Sequence, residues 1–353
     1  MDLTPFDHSI DERDWEMETD GTVRFALVGL GWFTRDFALP ALEECAYAEA
    51  TVVVSGSAEK AETVADEHDL AAGVTYGEFH DGAATDEYDA VYVGTPNAAH
   101  LEHAEAAAEY GKHVLCEKPM EANVERAAAM VEVCEDAGVE LMVAYRMHTD
   151  PLMRRAREVI QSGVIGDIYQ AGGACAGPFV ARDGQQGWRT DPDLAGGGAL
   201  YDLGVYPLNT IRFLLDDDPQ SLHGTVVRDD DFLDGMDLHA SFTMEFGDGV
   251  IVTCRTSYDT EMEDTISVLG TDGRLALEPA YEAGEQKTLR VVQGGEEIEL
   301  TAGGDEIREE FDYFANAILA DRDVGPDGEH GLFDMRVLDA IYESDETGRR
   351  VDL

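Results

Sequence analysis

The chain has 353 residues, 24 Lys+Arg against 75 Asp+Glu, and a formal net charge of −51 at pH 7. So acidic a surface has no basic stripe with which to bind nucleic acid, and it needs screening: at about 1 M salt the Debye length falls to roughly 3 Å, which predicts a high-salt cytoplasm. With 44% hydrophobic residues the chain can bury a core rather than stay disordered; no apolar run reaches the roughly 18 residues of a membrane helix, and five scattered cysteines form neither a disulfide framework nor a zinc signature.

Residues 1–20 read as an acidic arm without the basic start and apolar core of a secretory signal, so the chain is expected in the cytoplasm. From Val23 to Ala144 short β-rich runs alternate with helical spacing. The runs are Val23 to Val28, Thr51 to Val54, Asp89 to Val93, His113 to Cys116 and Glu140 to Ala144. This alternation predicts βαβ units, a doubly wound parallel sheet and a Rossmann-type domain over 21–147.

After Asp150-Pro151 the pattern changes. One helix (Leu152 to Gln161), a strand from Gly166 and a glycine-rich loop lead to a helix at Ala199 to Leu215. Strands follow at Ala240 to Phe246, Val250 to Tyr258, Thr265 to Leu269 and Arg274 to Leu277, and two helices near Glu306 to Leu319 and Gly331 to Glu346 close the chain. Consecutive strands without helices between them predict an α+β domain over 148–353 with a large, mainly antiparallel sheet. Helices enough for only one face leave an open face, read as apolar and as the surface of a homo-oligomer, dimer or tetramer.

Gly29-Leu30-Gly31-Trp32-Phe33-Thr34 follows the first run and opens a helix, where a dinucleotide pyrophosphate would lie against Gly29, Gly31, Trp32 and Phe33. The third glycine of the usual pattern is Thr34. The second run ends Ser55-Gly56-Ser57-Ala58-Glu59-Lys60 rather than in the acid that takes both ribose hydroxyls. Ser55, Gly56, Ser57 and Lys60, with Arg35 as a second cation, make a pocket for a 2′-phosphate, which favours NADP over NAD. A capped helix with a solvated lysine is the alternative. Only four lysines occur in the chain, Lys60, Lys112, Lys118 and Lys287, which argues against solvated ones.

Lys118 stands in Cys116-Glu117-Lys118-Pro119-Met120, straight after a β run. Together with Gly29-Leu30-Gly31, Thr95-Pro96-Asn97 and His100, Tyr145-Arg146 and Gly196-Gly197-Gly198-Ala199-Leu200-Tyr201-Asp202-Leu203-Gly204, this motif resembles the glucose–fructose oxidoreductase/inositol dehydrogenase family over nearly the whole chain. The resemblance implies a cis bond before Pro119 that turns Lys118 into a cleft. It also implies cofactor contacts from Thr95, Pro96, Asn97, His100, Glu117, Lys118, Arg146, Trp188 and Arg189, and subunit association through the open sheet face. The tract from Trp188-Arg189 to Tyr206-Pro207-Leu208-Asn209 is most similar to glucose–fructose oxidoreductase and to pentose and dihydrodiol dehydrogenases, with Tyr206 where many members carry His.

Oxidising an alcohol by hydride transfer requires a group that takes the hydroxyl proton. Tyr206 could act as phenolate if a nearby ammonium, Lys118, lowers its pKa from about 10; which of the two is the base stays open. Asp202, four residues before Tyr206, could orient either group or the sugar. The three glycines ahead of that helix would let backbone approach the ligand. Tyr145, Arg146, Asp202, Tyr206 and Asn209 are the expected sugar contacts; Arg146 could instead pair with an acid. His100 and His103 are spaced i, i+3 without a carboxylate to complete a set, so no metal is expected. The expected reaction is NADP-dependent oxidation of the anomeric hydroxyl of an aldose, D-xylose first, to its lactone. Glucose–fructose oxidoreductase and dihydrodiol dehydrogenase are alternatives, and a non-catalytic NADP-sensing regulator is a reading of another class.

Overall fold

A computed structural model describes residues 13, 15–179, 187–228 and 235–353; most of the expected acidic arm and part of the glycine-rich loop lie outside them. The chain forms two compact units, one of residues 14–146 with 307–335, the other of residues 147–306 with 336–353 and 1–13. The stretch 307–335, expected in the second domain, thus packs with the first.

The first unit is a six-stranded sheet in the order β3-β2-β1-β4-β5-β6, every neighbouring pair parallel. Its strands are β1 (Val23–Val28), β2 (Ala48–Ser55), β3 (Ala72–Thr75), β4 (Ala90–Val93), β5 (His113–Glu117) and β6 (Leu141–Ala144). The strand order is that of a Rossmann dinucleotide fold. Because both sheet faces are covered, β1, β2 and β4 read as apolar runs rather than alternating ones, with Phe25 to Val28, Val52 to Val54 and Ala90 to Val93 buried. The helix Glu306–Leu319 supplies part of that cover: Phe311 meets Phe25 edge-on at 5.2 Å and Tyr92 at 5.3 Å. The described end of the N-terminal arm docks on the same helix, where Asn316 exchanges two hydrogen bonds with the Met17 backbone and Trp15 lies edge-on to Tyr313.

The second unit holds a nine-stranded sheet. Its strands are β7 (Ile168–Ala176), β8 (Ser221–Arg228), β9 (Asp237–Glu245), β10 (Ile251–Ser257), β11 (Glu263–Gly270), β12 (Gly273–Leu277), β13 (Gln286–Gln293), β14 (Glu296–Gly303) and β15 (Val351–Asp352), in the order β14-β13-β12-β11-β7-β10-β9-β8-β15. All pairs are antiparallel except β10 with β7. The helices Pro151–Gln161 and Val205–Leu215 lie in this unit, and Val205–Leu215 is buried along nearly all its length.

The exposed side chains of this sheet are not apolar as expected. Along β8, β9 and β10 they are Thr225, Ser241, Thr243 and Thr253 together with His223, Arg228, Glu245 and Arg255, with Val227 and Ile251 as scattered large apolar residues. Arg255 on β10 reaches across β7 to Glu263 on β11, and Arg290 on β13 pairs with Glu299 on the neighbouring β14. Threonine and serine suit a pleated surface without creating a greasy patch, so an argument for association from bare apolar area fails here. No described helix is long and apolar enough to cross a membrane.

Candidate active site

In the first unit the expected cofactor residues gather where β1, β2, β4 and β5 end, the edge at which ligands bind in such sheets. Gly29 has φ +97°, and a Cβ there would sit 2.6 Å from the Gly94 carbonyl oxygen, so only glycine fits. Gly31 differs. A Cβ at that position would meet nothing within 4 Å, so no packing in this unit demands a glycine, and the open backbone fits a phosphate. Thr34, in place of the third glycine, is buried and donates its hydroxyl to the Gly29 carbonyl at 2.6 Å, tying the loop to the π-helical turn Thr34–Ala38. Trp32 stands exposed beside Phe33 and Phe37, which stack on each other at 5.3 Å.

Ser57 caps the helix Ala58–Glu67 by accepting from the Lys60 N–H. The cap expected of the alternative reading is present. The Lys60 ammonium does not run out to solvent but donates to the Leu30 carbonyl in the glycine loop. Burial, and then the Arg35 guanidinium, hold the Lys60 pKa below the usual lysine range. Two cations brought this close at the dinucleotide loop of so acidic a chain make a set that fits a phosphomonoester.

Several of the expected contacts also bond to residues of their own unit. His100 is fully buried, its Nε2 facing the Thr95 carbonyl at 3.0 Å and its Nδ1 the Met120 carbonyl at 3.1 Å, so its ring ties the Thr95-Pro96-Asn97 loop to the segment after Lys118. Glu117 is likewise engaged: Oε1 accepts from Tyr92 at 2.9 Å and Oε2 from the Lys118 backbone N–H at 3.1 Å. Burial and the Glu117 charge keep the Tyr92 pKa well above the usual tyrosine range, so its hydroxyl stays a donor. The Lys118-Pro119 bond is cis, as the resemblance implied. Just beyond it Glu121, fully buried, accepts from the Ala122 and Leu101 N–H groups and from Arg126. Lys118 therefore sits on a segment fixed by Tyr92, Glu117, His100 and Glu121, none of them exposed. Tyr145 and Arg146, both buried, follow β6, and Tyr145 lies edge-on to His330 at 6.2 Å. His103 pairs with His80 (3.0 Å), and burial, His80 and His100 push its pKa down to about 3.

In the second unit Asp202 lies on the π-helical turn Leu200–Gly204 that leads into Val205–Leu215. Bonding five residues apart there changes the phase that the i, i+4 expectation for Asp202 and Tyr206 assumed. The Asp202 Oδ2 accepts from the Tyr258 hydroxyl at 3.0 Å and from the Arg189 Nε at 3.2 Å. Arg189, expected on the cofactor, thus clamps a carboxylate within its own unit, lying over the Trp188 ring at 4.4 Å. The Tyr206 ring meets Tyr281 at 5.4 Å. Asn209, expected on the sugar, is buried with its Oδ1 at 2.8 Å from His148 Nε2.

Two glycines of the run before Asp202 have a packing reason. A Cβ on Gly197 would lie 2.6 Å from the Tyr342 hydroxyl, and one on Gly198 would overlap the Asp237 carbonyl. The Asp237 carboxylate accepts from Gly198 N–H at 2.8 Å, Leu200 N–H at 2.7 Å and the Tyr342 hydroxyl. Tyr258 and Asp237 escaped the sequence reading. Each is an isolated residue at a strand end, with no local spacing to mark it.

A dinucleotide-binding sheet with a lysine at the end of β5, and beside it in the chain an antiparallel unit with a buried, clamped acid, define an oxidoreductase of a two-unit type. Residues 23–145 match the oxidoreductase family with an NAD-binding Rossmann fold and residues 153–276 the GFO/IDH/MocA C-terminal domain; the chain belongs to this family. It is 44% identical to the D-xylose 1-dehydrogenase (NADP(+)) of Haloarcula marismortui, with 100% of both chains covered. It is 34% identical to the D-xylose 1-dehydrogenase (NADP(+)) 2 of Haloferax volcanii, over 93% of this chain and 99% of that one. Among solved structures, the aldose-aldose oxidoreductase from Caulobacter crescentus complexed with glycerol matches with a TM-score of 0.89 at 28% identity, covering 94% of this chain and 100% of that chain.

Proposed function

We propose that the protein oxidises the anomeric hydroxyl of a cyclic aldose, D-xylose first, to the lactone, with NADP as hydride acceptor. The 44% identity to an NADP-dependent D-xylose 1-dehydrogenase over the full length of both chains carries this reading. When bound, the nicotinamide takes the hydride. Gly29 and Gly31 admit the pyrophosphate to the backbone, and Lys60 with Arg35 holds the 2′-phosphate. Lys118 and Tyr206 handle the hydroxyl proton, and Asp202 and Arg146 hold sugar hydroxyls. The test is stoichiometry: one NADPH should accumulate per lactone formed from D-xylose in molar KCl. Lactone formed with no net NADPH, from cofactor that copurifies and never exchanges, would favour the aldose–aldose reading that the Caulobacter relative supports. NADP binding with no turnover of any aldose would favour a sensor.

Lys60→Ala is expected to weaken NADP about 10- to 100-fold, the worth of one or two charge-assisted hydrogen bonds, and to weaken NAD much less, through the lost tie to the Leu30 carbonyl alone. The lowered Lys60 pKa adds a sign. The ammonium loses its proton at a lower pH than an ordinary lysine, so NADP affinity should fall as pH rises through that pKa. Fluorescence titrations at neutral and alkaline pH should show this fall in the parent and not in Lys60→Ala; equal loss of NADP and NAD affinity in the variant would count against the pocket.

A homo-oligomer through the open sheet face is the association that the family membership implies. Sedimentation in molar KCl should give a mass above 38.5 kDa, and a single species at 38.5 kDa would rule the oligomer out.

A further inference from the structure

We propose that Tyr258 is a positioning residue of the sugar site, holding the Asp202 carboxylate in one orientation through its hydroxyl. The proposal rests on the assignment of Asp202 to the sugar. Tyr258 follows β10 directly, is 3% exposed, and is pinned by its backbone N–H on the Leu238 carbonyl at 3.0 Å. Its hydroxyl and the Arg189 Nε converge on one oxygen, Asp202 Oδ2, at 3.0 and 3.2 Å. The two donors approach from different elements, Tyr258 from the sheet and Arg189 from the turn Trp188–Thr190. Arg189 is itself seated on Trp188.

The backbone under Asp202 is fixed separately. Asp237 accepts from Gly198 and Leu200 at the start of the π-helical turn, so what remains adjustable at Asp202 is mainly its side-chain rotation. A single donor leaves a carboxylate some freedom to rotate, whereas two donors converging on one oxygen remove most of it. Tyr258 suits the task. Burial, and then the Asp202 charge, hold its pKa well above the usual tyrosine range, which favours the hydroxyl as a donor to the carboxylate.

The test is a double-mutant cycle of Tyr258→Phe and Asp202→Asn, read as kcat/KM for D-xylose in molar KCl, with NADP affinity and circular dichroism confirming a parent-like fold. Phenylalanine keeps the ring and removes only the hydroxyl. Tyr258→Phe should lower kcat/KM about tenfold in the parent, since misplacement of a contact group by about 1 Å can cost far more than that. In the Asp202→Asn background the same change should cost less than about twofold, because the group it positions is already gone. An unchanged Tyr258→Phe enzyme overturns the proposal alone, as does an equal loss in both backgrounds, which would mark a merely structural tyrosine. Near-normal turnover of Asp202→Asn removes the sugar assignment of Asp202, and this proposal with it.

Discussion

Lys118→Ala is expected to lower kcat/KM for the aldose by about a thousandfold or more, within the range that a positioned proton-transfer group supplies. NADP affinity should change little by comparison, because Lys60 and Arg35 carry the phosphate contact in the proposed site. The substitution should leave the fold intact. The segment around Lys118 is held by its neighbours, with Glu117 between the Tyr92 hydroxyl and the Lys118 N–H, and Glu121 between Arg126 and two backbone N–H groups. Reduced-nicotinamide absorbance in molar KCl measures the effect; turnover within about tenfold of the parent would refute Lys118 as a proton-handling group.

Lys287→Met is expected to cost about 3–5 kcal/mol of stability, the usual result of removing one partner from a buried ion pair. Lys287 Nζ lies 2.7 Å from Asp150 Oδ2 and 3.2 Å from Glu306 Oε1, and all three side chains are about 1% exposed. Without the ammonium two carboxylates would face each other out of water. Asp150 also caps the helix Pro151–Gln161 by accepting from the Met153 N–H at 2.9 Å, so a shift of that acid to escape repulsion would give up a cap. Salt does not rescue a pair this deep, because screening acts on exposed charges. Urea unfolding in molar KCl measures the loss, and a change below about 1 kcal/mol would show that the triad relaxes or takes in water.

The lysine inventory explains why so much of the site was legible. None of the four lysines is a fully solvated side chain. Lys60 reaches the glycine loop, Lys112 donates to the Tyr88 carbonyl at 2.8 Å, Lys118 stands on a braced segment, and Lys287 is buried between two acids. In a chain that avoids lysine on its surface, each remaining one marks a place where the fold or the site uses it.

The fold was legible where runs were long and apolar. Val23–Val28 and Glu306–Leu319 have the bounds that the sequence suggested. The strand β3 was not foreseen, since Ala72–Thr75 is four residues long with a glycine at Gly73, where a Cβ would overlap the Ala61 carbonyl. The β13–β14 hairpin was missed although it carried a signal: Gly294 and Gly295, with φ +60° and +89°, make the two-residue turn that joins the strands. Periodicity could not show the π-helical turn under Asp202, whose first residues are held by Asp237, thirty-five residues later than Asp202. His100, Glu117, Arg189 and Asn209, expected at ligands, are each also held by a neighbouring residue. A family motif marks which residues matter without saying whether they face the ligand or the residue behind it.

The most direct measurement is a set of steady-state rates for D-xylose, D-glucose, L-arabinose and a dihydrodiol, each with NADP and with NAD in molar KCl. The account predicts the highest kcat/KM for D-xylose with NADP, and a preference for NADP that shrinks in Lys60→Ala. Equal or better rates with NAD, or no oxidation of any aldose by folded protein that binds NADP, would contradict it.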